Sequence, residues 1–173
     1  MSALPVENFP VALSELVGES GVRLGSGGVH GRVSEMSWEL CFAYAAAFLG
    51  VVVPNGARSV ALGMDLRPSS PAIASACAAA IRHAGMAVDF CGPLPMPALA
   101  CYARSKGVAC IMITGSSAPS DCNGLKFYGP QGEITLADEQ AIDNAEVYLP
   151  AKYPFAPLPA VNPGAAELYS KSV

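Results

Sequence analysis

The middle of the chain alternates short apolar runs with longer stretches of small residues. Residues 59–64 (SVALGM), 86–91 and 108–113 are strand-length runs, apolar on both faces where they are longest. Helix signals separate them. Ser70 is an N-cap candidate, Pro71 suits the first helical position, and Gly85 stands where a C-terminal glycine belongs. Arg82 and His83, at the end of that alanine-rich segment, suit the helix dipole. Pro97 opens a second helix that ends near Lys106 and Gly107. Strands buried on both faces and alternating with helices predict a three-layer α/β/α fold around a mostly parallel sheet.

The flanks are read more coarsely. Residues 1–20 hold Pro5, Pro10 and one short helix candidate at 11–17, and are set apart as an N-terminal extension. Residues 21–31 contain five glycines and read as a loop. Ser37 can cap a helix to about Leu49, with Trp38, Phe42, Ala45, Ala46 and Leu49 at helical spacing. Residues 125–128 and 132–134 flank Gly129-Pro130-Gln131 as a turn or short hairpin. Thr135-Leu-Ala-Asp138 is a capping-box variant that opens a helix to about Leu149. Five prolines between 150 and 163 predict a linker or extended strap, after which 164–173 begins another helix. The predicted units are thus an extension at 1–20, a domain at 21–149, and a linker with a partial helix at 150–173.

Composition narrows the class. Charged residues make up 14% of the 173 and apolar residues 52%; typical soluble domains are roughly 25% charged. A surface this poor in charge suits a domain that partly faces other protein, and equally suits an ordinary domain rich in alanine. The net charge of −4 and the lack of a basic tract count against nucleic-acid binding. Residues 1–10 have no charged, apolar leader pattern, and no apolar run reaches membrane-spanning length, so neither secretion nor membrane insertion is expected. Six cysteines without a Cys-x-x-Cys pair, and only two histidines, fit a reduced, cytoplasmic protein without a zinc site.

Ligands of open α/β sheets gather at the carboxyl ends of parallel strands. Two loops fall there, 65–70 and 114–126. Ser116 offers a hydroxyl, Arg67 and Lys126 positive charge, and Gly115 close backbone approach. The bland alternatives remain open on these residues alone. Arg67 could pair with Asp65 or bond loop carbonyls, which is the stronger reading for it, and Lys126 could be a solvated charge on a hairpin. The glycine-rich stretch lacks the strand–Gly-x-Gly-x-x-Gly–helix order of a dinucleotide site, which counts against a nucleotide-binding module.

Five segments in order resemble the first domain of the alpha-D-phosphohexomutases, the phosphomannomutase and phosphoglucomutase family. Leu24-Gly-Ser-Gly-Gly-Val-His-Gly31 resembles Phe-Gly-Thr-Ser/Asp-Gly-Ile-Arg-Gly. Gly63-Met-Asp-Leu-Arg-Pro-Ser-Ser resembles Gly-Arg-Asp-Thr-Arg-x-Ser-Ser, and Pro95-Met-Pro resembles Pro-Thr-Pro. Thr114-Gly-Ser-Ser-Ala-Pro119 resembles Thr-Ala-Ser-His-Asn-Pro, and Asn123-Gly-Leu-Lys-Phe resembles Asn-Gly-Ile/Phe-Lys-Phe/Tyr. The resemblance implies intramolecular phosphoryl transfer on hexose phosphates, chemistry that depends on positioning and charge neutralisation. It implies Ser116 as a magnesium-liganding phosphoserine, Lys126 as its catalytic cation, and Arg67, Thr114, Asn123 and His30 as phosphate- or substrate-binding residues. Ser117, Ala118, His30 and Met64 depart from the family's His, Asn and two Arg. An ordinary histidine is mostly neutral at pH 7 and lacks the arginine fork. The family's magnesium, sugar-reading and distal-phosphate loops belong to later domains absent from these residues, so the isolated chain is expected not to turn over alone. The alternative is a non-catalytic derivative that oligomerises or binds a protein partner through the face a second domain would cover.

Overall fold

The computed structural model describes residues 8–151 and 157–172. In chain order the elements are β1 (Asn8–Ala12), α1 (Leu13–Val17), β2 (Arg23–Gly25), β3 (Gly28–Arg32), α2 (Trp38–Val52), β4 (Ser59–Met64), α3 (Ser70–His83), β5 (Ala87–Pro93), α4 (Met96–Lys106), β6 (Cys110–Ile113), β7 (Cys122–Gly129), β8 (Gly132–Glu133), α5 (Leu136–Asp143), β9 (Glu146–Pro150) and α6 (Gly164–Ser172). The main sheet runs β2-β3-β7-β6-β4-β5, with β8 paired to β7.

The α/β layering follows from the sequence, but the sheet is mixed and not mostly parallel. Among the described residues only β4–β5 and β4–β6 are parallel pairs. The pairs β6–β7, β3–β7, β2–β3 and β7–β8 are antiparallel. The reason is loop length. The segment between β6 and β7, residues 114–121, is too short for the crossover that parallel neighbours need, so the chain turns straight back.

Two other readings give way for local reasons. The glycine-rich stretch forms the β2–β3 hairpin, in which Ser26 (φ 54°) and Gly27 (φ 84°) take the left-handed geometry of a type I′ turn. The Gly27 amide donates to Glu139 Oε1 at 2.7 Å and ties this hairpin to α5. The helix expected at 135–149 stops at Asp143, although its capping box between Thr135 and Asp138 is formed. Beyond it Val147 and Leu149 are buried and Tyr148 is exposed, a two-residue period that belongs to a strand. That strand, β9, pairs with β1 from Asn8–Pro150 to Ala12–Glu146. The N-terminal helix starts at Leu13, which is fully buried.

α2 and α3 cover one face of the sheet. α2 is apolar nearly all round and has nine buried residues, as expected of a helix enclosed by other elements. Ser37 caps it by accepting from the Leu40 amide at 3.1 Å. Phe48 of α2 stacks on Phe127 of β7 with centroids 4.5 Å apart. The alanines of α3 leave little bulk between helix and sheet. α4 and α6 cover the other face, with Leu99, Tyr102 and Ala165 in its core. Residues 157–163 lead into α6 without regular structure, and the part of the proline-rich strap at 152–156 lies outside the described residues. Among the described residues no helix is long and apolar enough to cross a membrane.

Candidate functional site

The carboxyl ends of β4 and β6 lie side by side, with Met64 opposite Ile113. The loops that leave them therefore start together, and the Asp65 amide donates to the Ile113 carbonyl at 2.8 Å. Asp65 is the pivot. Its Oδ1 accepts from the Arg67 amide at 3.0 Å and from the Ser70 hydroxyl. Its Oδ2 accepts from the Gly115 amide at 3.0 Å and lies 3.4 Å from Arg67 Nε. Partial burial pushes this carboxyl up, but bonds from Ser70, Gly115, Arg67 and Thr114 outweigh it and hold the group below its ordinary value.

Arg67 clamps the second loop. Its Nη1 donates to the carbonyls of Pro119 at 2.7 Å and Cys122 at 3.0 Å. Its Nη2 donates to those of Ala118 at 2.7 Å and Ser116 at 3.3 Å. With Nε beside Asp65, all three guanidinium nitrogens are engaged within the protein. Both structural alternatives for Arg67 hold at once: it pairs with Asp65 and bonds the loop carbonyls. Gly115 makes room for it, since a Cβ there would lie 2.2 Å from the guanidinium carbon.

Ser116 sits at the crest of this loop, exposed, with φ at 50°. A side-chain-bearing residue in left-handed geometry costs of order 1 kcal/mol. Arg67 on its carbonyl, and its own amide donating to Thr114 Oγ1 at 3.0 Å, hold it there. Thr114 continues the pairing of β6, its amide donating to the Gly124 carbonyl at 3.0 Å.

Register places the other candidates. Lys126 lies opposite Met112 on one side and Gly28 on the other, and His30 lies opposite Gly124. Since side chains alternate along strands, His30, Lys126 and Thr114 share the sheet face opposite α2 and α3. Lys126 is half-buried and, among the described residues, its side chain has no hydrogen bond or ion pair. His30 is exposed, and its Nδ1 lies 3.2 Å from where a Cβ on Gly124 would stand. The same Cβ would lie 2.6 Å from the Val29 carbonyl oxygen, so glycine is required where these strands close together.

Asn123 falls on the other face. It is 2% exposed, and its Nδ2 donates to Ser69 Oγ at 2.8 Å and Ser70 Oγ at 3.0 Å, while its Oδ1 accepts from the Gly124 amide. It braces β7 against the start of α3. The structure thus puts Thr114, Lys126 and His30 on one sheet face and Ser116 on the loop that leaves β6, with Arg67 and Asn123 as braces. Sequence reasoning missed the pivot at Asp65 and the bracing hydroxyls of Ser69 and Ser70. Ser70, expected as the N-cap, is the first helical residue, and its hydroxyl serves Asp65 and Asn123 instead. The two-residue spacing from Asp65 to Arg67, typical of a carboxylate turn, was the available signal.

The model of the phosphoglucomutase/phosphomannomutase alpha/beta/alpha domain I matches residues 21–146, which contain both loops. The chain belongs to the phosphoglucomutase/phosphomannomutase family. Among relatives in this family, a phosphomannomutase of Sinorhizobium fredii is 46% identical over 126 residues, 70% of this chain and 27% of that protein. A phosphomannomutase of Salmonella muenchen is 44% identical over 129 residues, 74% of this chain and 27% of that protein. A phosphoglucosamine mutase of Erwinia tasmaniensis is 33% identical, covering 73% and 29%. A solved structure from Thermus thermophilus, described as a candidate phosphomannomutase, superposes with a TM-score of 0.64 at 26% identity, covering 72% of this chain and 29% of that one. A phosphoglucomutase/phosphomannomutase family protein of Burkholderia thailandensis, at 21% identity and a TM-score of 0.59, shares the fold. This member of the family spans little more than a quarter of the length of the curated relatives it matches.

Proposed function

We propose that the chain is the phosphoserine-bearing domain of a phosphohexomutase acting on hexose phosphates. The observation that carries this reading is Ser116 itself. It is exposed at a strand tip, held in left-handed geometry by Arg67, and on the side where Lys126 has no partner among the described residues. A preformed loop with a free cation suits phosphoryl transfer, in which positioning and charge neutralisation do most of the work.

In the proposed step, a sugar hydroxyl oxygen bonds the phosphorus of phosphorylated Ser116. The bond from phosphorus to Ser116 Oγ breaks, and the hydroxyl proton ends on that oxygen. Lys126 neutralises the phosphoryl oxygens and assists the proton transfer. Arg67 and Asn123 act here as positioning residues and not as direct phosphate ligands. The oligomeric state, a cytoplasmic setting and the choice of hexose belong to the same proposal and are open to the same kind of assay.

Magnesium is the ion that the resemblance implies, and oxygen ligands suit it. Among the described residues no group of three or more His, Cys, Asp or Glu converges to hold a metal. Asp65 has both carboxylate oxygens engaged. The described residues of this chain do not make a magnesium site by themselves; phosphorylated Ser116 would contribute a single ligand.

The test is to incubate the chain with magnesium and a hexose bisphosphate and map the phosphate by mass spectrometry. One phosphate on Ser116, absent from Ser116→Ala and reduced in Lys126→Ala, is the expected result. No phosphate on Ser116 under any of these conditions overturns the reading. A second reading, a partner-binding module, is favoured by Leu66, which is 85% exposed beside the site. Sedimentation of Leu66→Ser against the parent chain tests it, with loss of association expected.

A further inference from the structure

The main sheet ends on two unlike edges. β2 is three residues long and starts with the exposed Arg23, and a short, charged edge is a poor template for another strand. β5 is seven residues long and carries one charge, Asp89. Its Ala87 amide donates inward, to the Arg58 carbonyl at 2.9 Å. Backbone groups alternate sides along a strand, so those of Val88 and Phe90 point outward. Among the described residues no strand pairs with them. An edge of this length and apolarity invites pairing with another chain.

Residues 157–163 lie along this edge. The Asn162 amide donates to the Phe90 carbonyl at 2.7 Å and so takes up an outward acceptor. Val161 packs on Gly92, where a Cβ would lie 2.8 Å from Val161 Cγ1. Leu158 packs against the larger core, and Arg82 of α3 donates to the Pro157 carbonyl at 3.4 Å. Phe90, Cys91 and Gly92 are buried. Pro157, Pro159 and Pro163 have no N–H, so the strap offers few donors to a further strand.

One side chain locks the strap. Asn162 Nδ2 donates to Asp89 Oδ1 and to the Tyr102 hydroxyl oxygen, both at 2.9 Å, and that hydroxyl donates to Asp89 Oδ2 at 2.6 Å. Asn162 Oδ1 accepts from the Gly164 amide at 3.0 Å, at the start of α6. The residue that covers the edge also begins the helix, so strap and helix hold or release together.

We infer that residues 157–163 are a releasable guard on the β5 edge, locked by Asn162, and that the freed edge pairs with the β5 edge of a second copy of this chain. The occupant follows from the edge itself. In two copies turned antiparallel the outward groups of Val88 and Phe90 meet their own counterparts, and a self-complementary patch closes a twofold pair. The inference does not depend on the chemistry of Ser116.

The test compares the parent chain with Asn162→Asp, which sets a second carboxylate against Asp89, and with the milder Tyr102→Phe, which removes the hydroxyl from the lock. Amide exchange at residues 90–92 and 164–172 reads release, and sedimentation velocity over a wide concentration range reads association. Tyr102→Phe should speed exchange roughly tenfold, the loss of about one hydrogen bond, and Asn162→Asp more. Both should associate more than the parent as concentration rises. Ala87→Lys, at an exposed position of β5, added to either variant should return sedimentation to that of the parent while exchange stays fast, because an edge lysine opposes pairing. If Asn162→Asp fails to fold, Tyr102→Phe with and without Ala87→Lys decides by the same two readouts. Fast exchange without added association overturns the inference. Association that Ala87→Lys leaves unchanged places the contact elsewhere and overturns it too, as does exchange at residues 90–92 no faster than in the parent.

Discussion

Arg67 Nη2 donates to the Ala118 carbonyl at 2.7 Å, which places an arginine of the first loop inside the hydrogen-bonding of the second. The cation nearest the base of the Ser116 loop is thereby committed to backbone. Lysine can replace its charge but not its fork. Arg67→Lys and Arg67→Ala should both speed amide exchange across residues 115–122, with local opening easier by about 1–3 kcal/mol. Both should reduce phosphate labelling of Ser116. Full rescue by lysine would show that charge, and not geometry, is what the loop needs.

Gly115 is a second handle on the same clamp. A Cβ at 115 would overlap the guanidinium, which must then move. Gly115→Ala should destabilise the domain by about 1–3 kcal/mol, as overpacking does. Its exchange pattern should resemble that of Arg67→Ala. Urea melts and amide exchange check the two halves of this expectation.

Asp65 makes the site acid-sensitive. Its bonds from Ser70, Gly115, Arg67 and Thr114 hold its folded pKa below the ordinary 3.8. A carboxyl depressed on folding stabilises above its unfolded pKa, and the contribution drains away as pH falls through the folded value. Urea melts from about pH 6 down to about pH 3 should show the parent losing stability below about pH 4. Asp65→Asn should be less stable at neutral pH and lose less on acidification, so that the two converge at the acid end. Parallel curves would refute the linkage.

Asn123 is the brace with least exposure. Asn123→Ala leaves Ser69, Ser70 and the Gly124 amide without their partner in a buried place. The expected cost is about 1–3 kcal/mol by thermal or urea unfolding. The effect on phosphate binding should follow only from loosening of the loop.

The strands at 59–64 and near 87 and 110 were legible because apolar residues fill both of their faces, a pattern loops do not sustain. Strand direction was not, because composition carries no sign of it. The short connection at 114–121 decided that β7 turns back. β9 was hidden by the strong capping box at Thr135, since five residues of two-fold alternation are a weaker signal than a helix start. Ser116 and Lys126 could be assigned to the loop after the strand near 110 from the alternation of strands and helices, whereas the face His30 shares with Lys126 came only with the antiparallel register of β3 and β7. The work of Arg67 could be narrowed to pairing with Asp65 or bonding loop carbonyls; that it does both depends on four carbonyls up to 55 residues away. The contact of Asp65 with the Gly115 amide is likewise a product of the fold.

The C-terminal helix is tied down by a separate set of bonds. Asn162 Nδ2 donates to Asp89 Oδ1 at 2.9 Å and to the Tyr102 hydroxyl at 2.9 Å, while its backbone amide donates to the Phe90 carbonyl at 2.7 Å. Burial and the Asp89 carboxylate push the Tyr102 hydroxyl up to about 12, so it remains a donor at neutral pH. Asn162→Ala should free α6 from α4 and speed exchange throughout 164–172, with the Ser116 loop unaffected.

The pairing of Asn8 with Pro150 brings the first and last strands of the domain into one ribbon. The polypeptide therefore comes back beside its own start before it goes on to α6, which packs on the far face with Ala165 in the core. Opening of β1 thus strips β9 of the strand it pairs with, so two segments remote in sequence must loosen and reclose together.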